Sequence, residues 1–231
     1  MKKLFLILLI SLCLTSSAYA DSRNFSFKVN KTKINVRTPD GFYESSYIAP
    51  GRLDMAKTLL PQTLNVQAVL LPKGVTDFER LTRYIILVTE KRLEKRKITQ
   101  KDFNNLRELL REQQFTLLNK WKEKIDEEVE AGALRISNES GLKYKFLVGE
   151  TTPLGVFIDN KKVISINTIS NMKTSLEGTN YDFLQVASSS MVFVKNKIIM
   201  AYIYSDFDSE KDIIWIEDKT KETVNLLIKN N

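Results

Sequence analysis

Hydrophobic and polar positions alternate along much of this chain, and changes in the period of that alternation mark its elements. Phe25 to Val29 and Lys33 to Arg37 repeat every second residue, which predicts two short strands with Asn30-Lys31 as the turn. Thr38-Pro39-Asp40-Gly41-Phe42 is a turn signal, since Pro fixes φ and Gly accepts a positive one. Arg52 to Leu60 predicts a short helix stopped by Pro61, and Leu64 to Leu71 a strand closed by Pro72-Lys73-Gly74. Arg83 to Leu93 opens as a strand through Tyr84, Ile85, Ile86, Leu87 and Val88, and then turns basic.

The period lengthens after Ile98. Thr99 is placed to cap a helix with Asp102 at its third position, and Ile98 and Phe103 suit a hydrophobic staple. Phe103, Leu106, Leu110, Leu117, Trp121, Ile125 and Val129 then recur at helical spacing, with no Gly or Pro before Gly132. The pattern predicts a helix of about 30 residues, ~45 Å long, with a kink near Glu112 to Gln114 where the stripe thins. Beyond Gly132 the chain becomes β-rich. Leu142 to Val148, Leu154 to Ile158 and Val163 to Ile169 read as strands, the last two joined at Asp159-Asn160. Phe183 to Val194 and Ile198 to Tyr204 form another hairpin around Lys195-Asn196-Lys197. The second of these strands is apolar on both faces and is expected at the centre of a sheet. Ser188-Ser189-Ser190 inside its partner suits the close approach of a helix. A final helix starts near Ser209, with Asp212 placed to reach back to its cap, and buries Ile213, Ile216, Val224 and Leu227. The expected fold is a single α+β domain over residues 21–231: a largely antiparallel sheet flanked by one long central helix and a C-terminal helix.

The first twenty residues stand outside this pattern. Lys2 and Lys3 precede an apolar run from Leu4 to Leu14, and Ala18-Tyr19-Ala20 ends the segment in a small-x-small triplet. This is the layout of a signal peptide cleaved after Ala20, and the run is shorter than the roughly 20 residues a membrane span requires. Cys13, the chain's only cysteine, falls in the removed piece, since Leu12 stands where a lipobox wants a small residue. The expected product is an exported protein, periplasmic or secreted, with no transmembrane anchor and no disulfide.

Composition removes more chemistry than it adds. The 231 residues include no histidine, which excludes Ser-His-Asp and Cys-His catalysis and, without cysteine, any soft-ligand metal site. A metal would be held by oxygen alone, and proton transfer would fall to Asp, Glu, Lys or Tyr. The formal charge is +7, reduced by two when Lys2 and Lys3 leave. That balance suits contact with anionic lipid, lipopolysaccharide or cell-wall polymer, but a Lys-, Asn- and Ile-rich composition of the kind AT-rich genomes produce, with acids mixed among the bases, accounts for it without a partner.

Three motifs bear on chemistry. Asp206, Asp208, Glu210, Asp212 and Glu217 fall at positions 1, 3, 5, 7 and 12 of a notional calcium loop. Lys211 occupies the sixth position, where that loop needs Gly, and acids at a helix start explain the same residues. Ser170-Asn171-Met172-Lys173 matches S-x-x-K, without the S-D-N and K-T-G partners and in a loop-like stretch. Lys91, Arg92, Lys95, Arg96, Lys97 and Lys101 form the densest basic patch; a solvated strand end and loop is the simpler reading, and contact with phosphate groups of lipid or cell wall the functional one. No aromatics interleave with them, so nucleic acid is not an expected partner.

Two stretches carry a resemblance. One is Ile34 to Phe42. The other runs from Ile198 to Tyr204, through Ser205 to Asp212, to Trp215 and the closing helix that ends in Asn230-Asn231. Together they resemble an uncharacterised family of bacterial exported proteins, and the opening is similar to the Mog1/PsbP/DcrB-like superfamily. The resemblance covers the two ends of the chain and implies an antiparallel sheet flanked by helices and a binding or accessory role. No catalytic residue carries over, and no cofactor is implied. The expected function is an exported accessory or binding protein of the bacterial envelope, partnered by an envelope protein or anionic polymer. The rivals are a carboxylate-based hydrolase or small-ligand carrier, which a pocket gathering several carboxylates would support, and a secreted effector.

Overall fold

A computed structural model describes residues 24–46, 49–75 and 81–231. The expected signal segment, with Cys13, lies outside the described residues, as does the side chain of Trp121. The strands are β1 (Asn24–Val29), β2 (Thr32–Arg37), β3 (Phe42–Glu44), β4 (Leu64–Pro72), β5 (Arg83–Glu90), β6 (Tyr144–Asp159), β7 (Val163–Leu176), β8 (Thr179–Val194) and β9 (Lys197–Asp206). The helices are α1 (Pro50–Leu59), α2 (Lys91–Glu94), α3 (Gln100–Ser140) and α4 (Glu210–Lys229).

β1 and β2 pair as a hairpin, and the other seven strands form one sheet in the order β3-β4-β5-β9-β8-β7-β6. Every pairing is antiparallel. The twice-apolar strand β9 lies in the middle, as its pattern requires. One face buries Ile85, Leu87, Ile199, Ala201 and Ile203 against Ile216, Val224 and Leu227 of α4 and against Val29, Ile34 and Val36 of the hairpin. The other face carries two clusters, one built with Ala56 of α1 and one with Phe103 of α3. The protein is therefore an α+β sandwich of three layers, with helices on both faces of the sheet. A bulge in β4 serves both layers. The register shifts between Val66 and Ala68, so Val66 faces α1 while Ala68 faces α4.

The β8 serines take the expected place. Ser188 and Ser190 are buried on the α4 side, and the Ser190 hydroxyl lies 2.7 Å from that of Ser165. Small side chains there let α4 pack closely on β8.

Several expectations are corrected. α3 is one continuous helix of 41 residues that runs through Gly132 and ends at Gly141 in the left-handed conformation. At 1.5 Å per residue it is about 60 Å long. Gly132 is a contact point instead of a stop, because a Cβ there would lie 2.4 Å from the carbonyl oxygen of Leu59 in α1. Two of the expected strands, Leu142 to Val148 and Leu154 to Ile158, are one strand, β6, bent by three register shifts. β7 and β8 continue past their expected ends, because each supplies the other's missing hydrogen bonds from Val163–Val192 to Leu176–Thr179.

The start of α4 is tied to β5. The Asp212 carboxylate accepts hydrogen bonds from the N–H groups of Asp208 and Ser209, each at 3.1 Å, and from Arg83 Nη2 at 3.0 Å. The Arg83 guanidinium also lies over the Trp215 ring, 4.3 Å from its centre. Partial desolvation pushes the Asp212 carboxyl up, but the Asp208 N–H, Arg83 and the Ser209 N–H outweigh it and hold the group below its ordinary value. A carboxyl depressed in the folded state stabilises the fold above its unfolded pKa, and that contribution is lost as the pH falls through the folded value. Asp212→Asn is therefore expected to cost roughly 2 kcal/mol near neutral pH, a loss that shrinks as the pH drops below the ordinary carboxyl value of about 3.9. Urea denaturation of both proteins across the acid range checks this. A difference that does not vary with pH would rule out the linkage.

Candidate functional site

The acidic run is divided by the fold. Asp212 is absorbed by the α4 cap. Glu217, one turn and more along the helix, accepts from Asn167 Nδ2 at 3.3 Å and pairs with Lys221 at 3.8 Å. Glu210 and Asp208 are exposed, and Asp206 is half-buried at the end of β9. Among the described residues, no three acidic, His or Cys side chains are grouped as a metal ion would need. What the fold does bring together is Asp182 of β8 with Asp206 and Asp208, beside Tyr181, Phe183 and Phe207, around an open depression of about 800 Å³. Asp182 had no signal in the sequence. It reaches this place through the register of β8 on β7, which no local pattern records.

The S-x-x-K tetrapeptide lies in β7, not in a loop. Side chains alternate faces along a strand, so Ser170 and Lys173, three apart, point to opposite sides of the sheet. The Ser170 hydroxyl is 2.9 Å from that of Thr151 on β6. A serine–lysine pair within this motif is geometrically excluded.

Three tyrosines with no motif to mark them sit side by side in the cluster that α1 covers. The rings of Tyr84 and Tyr204 stack with centres 4.6 Å apart, and Tyr202 lies 6.4 Å from Tyr204. The Tyr84 hydroxyl accepts from Gln185 Nε2 at 3.4 Å. Burial pushes the phenols of Tyr84 and Tyr202 up to about 12, and that of Tyr204 well above its ordinary value. All three stay protonated near neutral pH, the opposite of what a tyrosine general base requires.

The basic run has the most developed setting. Lys91, Arg92, Lys95, Arg96, Lys97 and Lys101 are all exposed, on α2, the loop after it and the first turn of α3. Lys197, buried beneath this loop, donates to the carbonyl oxygens of Glu94 at 2.6 Å and Arg96 at 2.8 Å and so holds it in shape. The fold adds cations that lie far away in sequence. The loop is joined to the β8–β9 turn by Ile98 N–H donating to Asn196 O at 3.0 Å. It is joined to the β6–β7 turn by Gln100 Nε2 donating to Lys161 O at 2.7 Å. Lys195 Nζ reaches Lys33 O of the β1–β2 hairpin at 3.1 Å. Exposed Lys28, Lys31, Lys33, Lys161, Lys162 and Lys195 thus share this end of the molecule with the original six.

The carboxylates at this end are largely engaged locally. Asp102 caps α3, accepting from the Thr99 N–H at 2.9 Å and hydroxyl at 2.7 Å, and those bonds hold its carboxyl below the ordinary value. Asp159 pairs with Arg107 and Arg111, both at 3.3 Å. Glu94 accepts from Thr89 at 2.6 Å and Asn65 at 2.9 Å. The exposed lysines at this end outnumber the carboxylates near them, and the positive field faces water.

No protein-family model matches the chain, and no curated protein matches it. Among solved structures it is similar to the Ran-binding protein Mog1p of Saccharomyces cerevisiae, at 10% identity over 90% of this chain and 98% of that one, with a TM-score of 0.34. A mutant of the protein Mog1 gives 11% identity over 88% of this chain and 94% of that one, with a TM-score of 0.33. The likeness to Mog1 is a faint one of fold and assigns no residue a role.

Proposed function

We propose that this is an exported accessory protein of the bacterial cell envelope that works by binding, and that its basic end is the surface it binds with. The observation that carries the reading is the convergence of the 91–101 run with three other turns, held by specific hydrogen bonds, where exposed lysines outnumber carboxylates even with Arg92 paired to Glu90 at 3.3 Å. The partner is an envelope protein with an acidic face or an anionic envelope polymer. The absence of histidine and the protonated tyrosines also support binding over catalysis.

One observation favours a second reading, a small-ligand carrier or carboxylate hydrolase. The depression at the other end gathers Asp182, Asp206 and Asp208 from two strands and a turn, next to aromatic rings. Native mass spectrometry of the exported protein, with and without calcium, separates the two. The binding reading expects the bare chain mass or a multiple of it. A retained small molecule or calcium ion, lost in Asp182→Asn, would replace it with the second.

A further inference from the structure

We propose that the basic end rests on a bilayer surface of anionic phospholipid, with the strands pointing away from the membrane. The inference takes as given that this end is the binding surface. One observation chooses a bilayer over a soluble polymer, and two more set the chemistry of the contact.

The first is the shape of the cationic array. In the β5–β9 ladder Val88 pairs with Met200, so continuing the register sets Lys91 level with Lys197. In the β7–β8 ladder Val163 pairs with Val192, which sets Lys161 and Lys162 level with Val194 and Phe193. Lys195 stands one residue beyond, in the two-residue turn that links β8 to β9. The strand ends therefore stop at a common level, and the lysines crown it as a broad face. A planar sheet of phosphates matches a broad face in a way that a single polymer strand does not.

The second is the chemistry of the face. It is mostly lysine, whose compact ammonium suits phosphate as a point charge. The third is what the face lacks. The large exposed apolar side chains, such as Phe115, Leu134 and Ile214, fall outside residues 28–33, 91–101, 159–163 and 194–197. The contact is then electrostatic, without insertion, and depends on salt, since the attraction fades over a Debye length of about 10 Å at 0.1 M.

The test is vesicle flotation of the exported protein. One set of vesicles holds one part phosphatidylglycerol to three parts phosphatidylcholine, and the other holds phosphatidylcholine alone. Soluble poly(glycerol phosphate) is run in parallel by sedimentation. The protein should float with the anionic vesicles only, and release as salt rises from about 0.05 to about 0.5 M. A triple variant, Lys95→Gln, Arg96→Gln and Lys97→Gln, should weaken binding roughly 100-fold, as should Lys161→Gln with Lys162→Gln and Lys195→Gln. Lys143→Gln, Lys173→Gln and Lys211→Gln, at the opposite end, change net charge equally and should have little effect. All variants are surface changes whose melting is checked first. Equal weakening by the control triple overturns the inference, as does equal binding to phosphatidylcholine. Binding to poly(glycerol phosphate) but not to vesicles overturns it and leaves the basic binding end standing. Binding to neither overturns it and leaves an acidic envelope protein as the partner of this end.

Discussion

Phe103→Ala should be among the most damaging single changes in this protein, costing about 4 kcal/mol and lowering the melting temperature by roughly 10 °C. Phe103 is fully buried, and its ring stacks on that of Phe193 with centres 5.4 Å apart. Around them Ile98, Ile198, Met191 and Met200 close one end of the space between α3 and the sheet. The other helix on this face, α1, builds a separate cluster with β4 and β5, so it does not substitute for Phe103. Truncation removes most of a large side chain where the surrounding strands are too constrained to collapse into the gap. The loss should also be local in a way that binding can report. Ile98 hangs the basic loop on this cluster, so amide exchange in residues 95–101 should quicken before the rest of the sheet opens. Phe103→Leu should cost much less. Thermal melting and hydrogen exchange check both claims, and a fall of under about 2 °C would show that α3 is anchored elsewhere.

Gly132→Ala is the second, expected to destabilise by roughly 3 kcal/mol. Considered as an isolated helix, the change should help by about 1 kcal/mol, because Ala is the better helix former. Here the new Cβ would meet Leu59 O at 2.4 Å and Leu59 Cα at 3.0 Å, and backbone cannot swing aside as a side-chain tip can. The crossing is also pinned. Arg135 Nε donates to Thr58 O at 3.0 Å, and Thr58 Oγ1 to Glu139 at 3.3 Å. Relieving the clash would pull these bonds apart and lift Ala56 and Leu53 of α1 off β4. Denaturant unfolding decides the sign. A stabilised variant would mean that α1 and α3 do not cross this closely in solution.

Both effects turn on features that local sequence reads incompletely. The staple of Ile98 and Phe103 and the Thr99–Asp102 cap are visible in the sequence because their partners lie within five residues. Gly132 looks like a terminator, since a glycine in a helical pattern records a weak propensity and not the neighbour that requires it. The same division runs through the candidate site. The exposed run from Lys91 to Lys101 is legible as a charge cluster. The lysines that join it are separated from it by about 60 residues or more on either side, and strand register together with the Lys195–Lys33 hydrogen bond brings them to it. Asp182 joins Asp206 and Asp208 for the same reason. The S-x-x-K motif fails because β7 runs on through it, and its continuation depends on the pairing partner β8.

The sequence by itself determined the class of this protein: where most of the strands lie, the central place of β9, the caps of α3 and α4, and the side-chain chemistry that is missing. Those features follow from periodicity, turn residues and composition, which act over a few residues. Tertiary structure alone decided the length of β6 to β8, the α1–α3 contact at Gly132, and the gathering of six additional lysines at one end. Each depends on hydrogen bonds or contacts between residues distant in the chain, whose register no local pattern specifies.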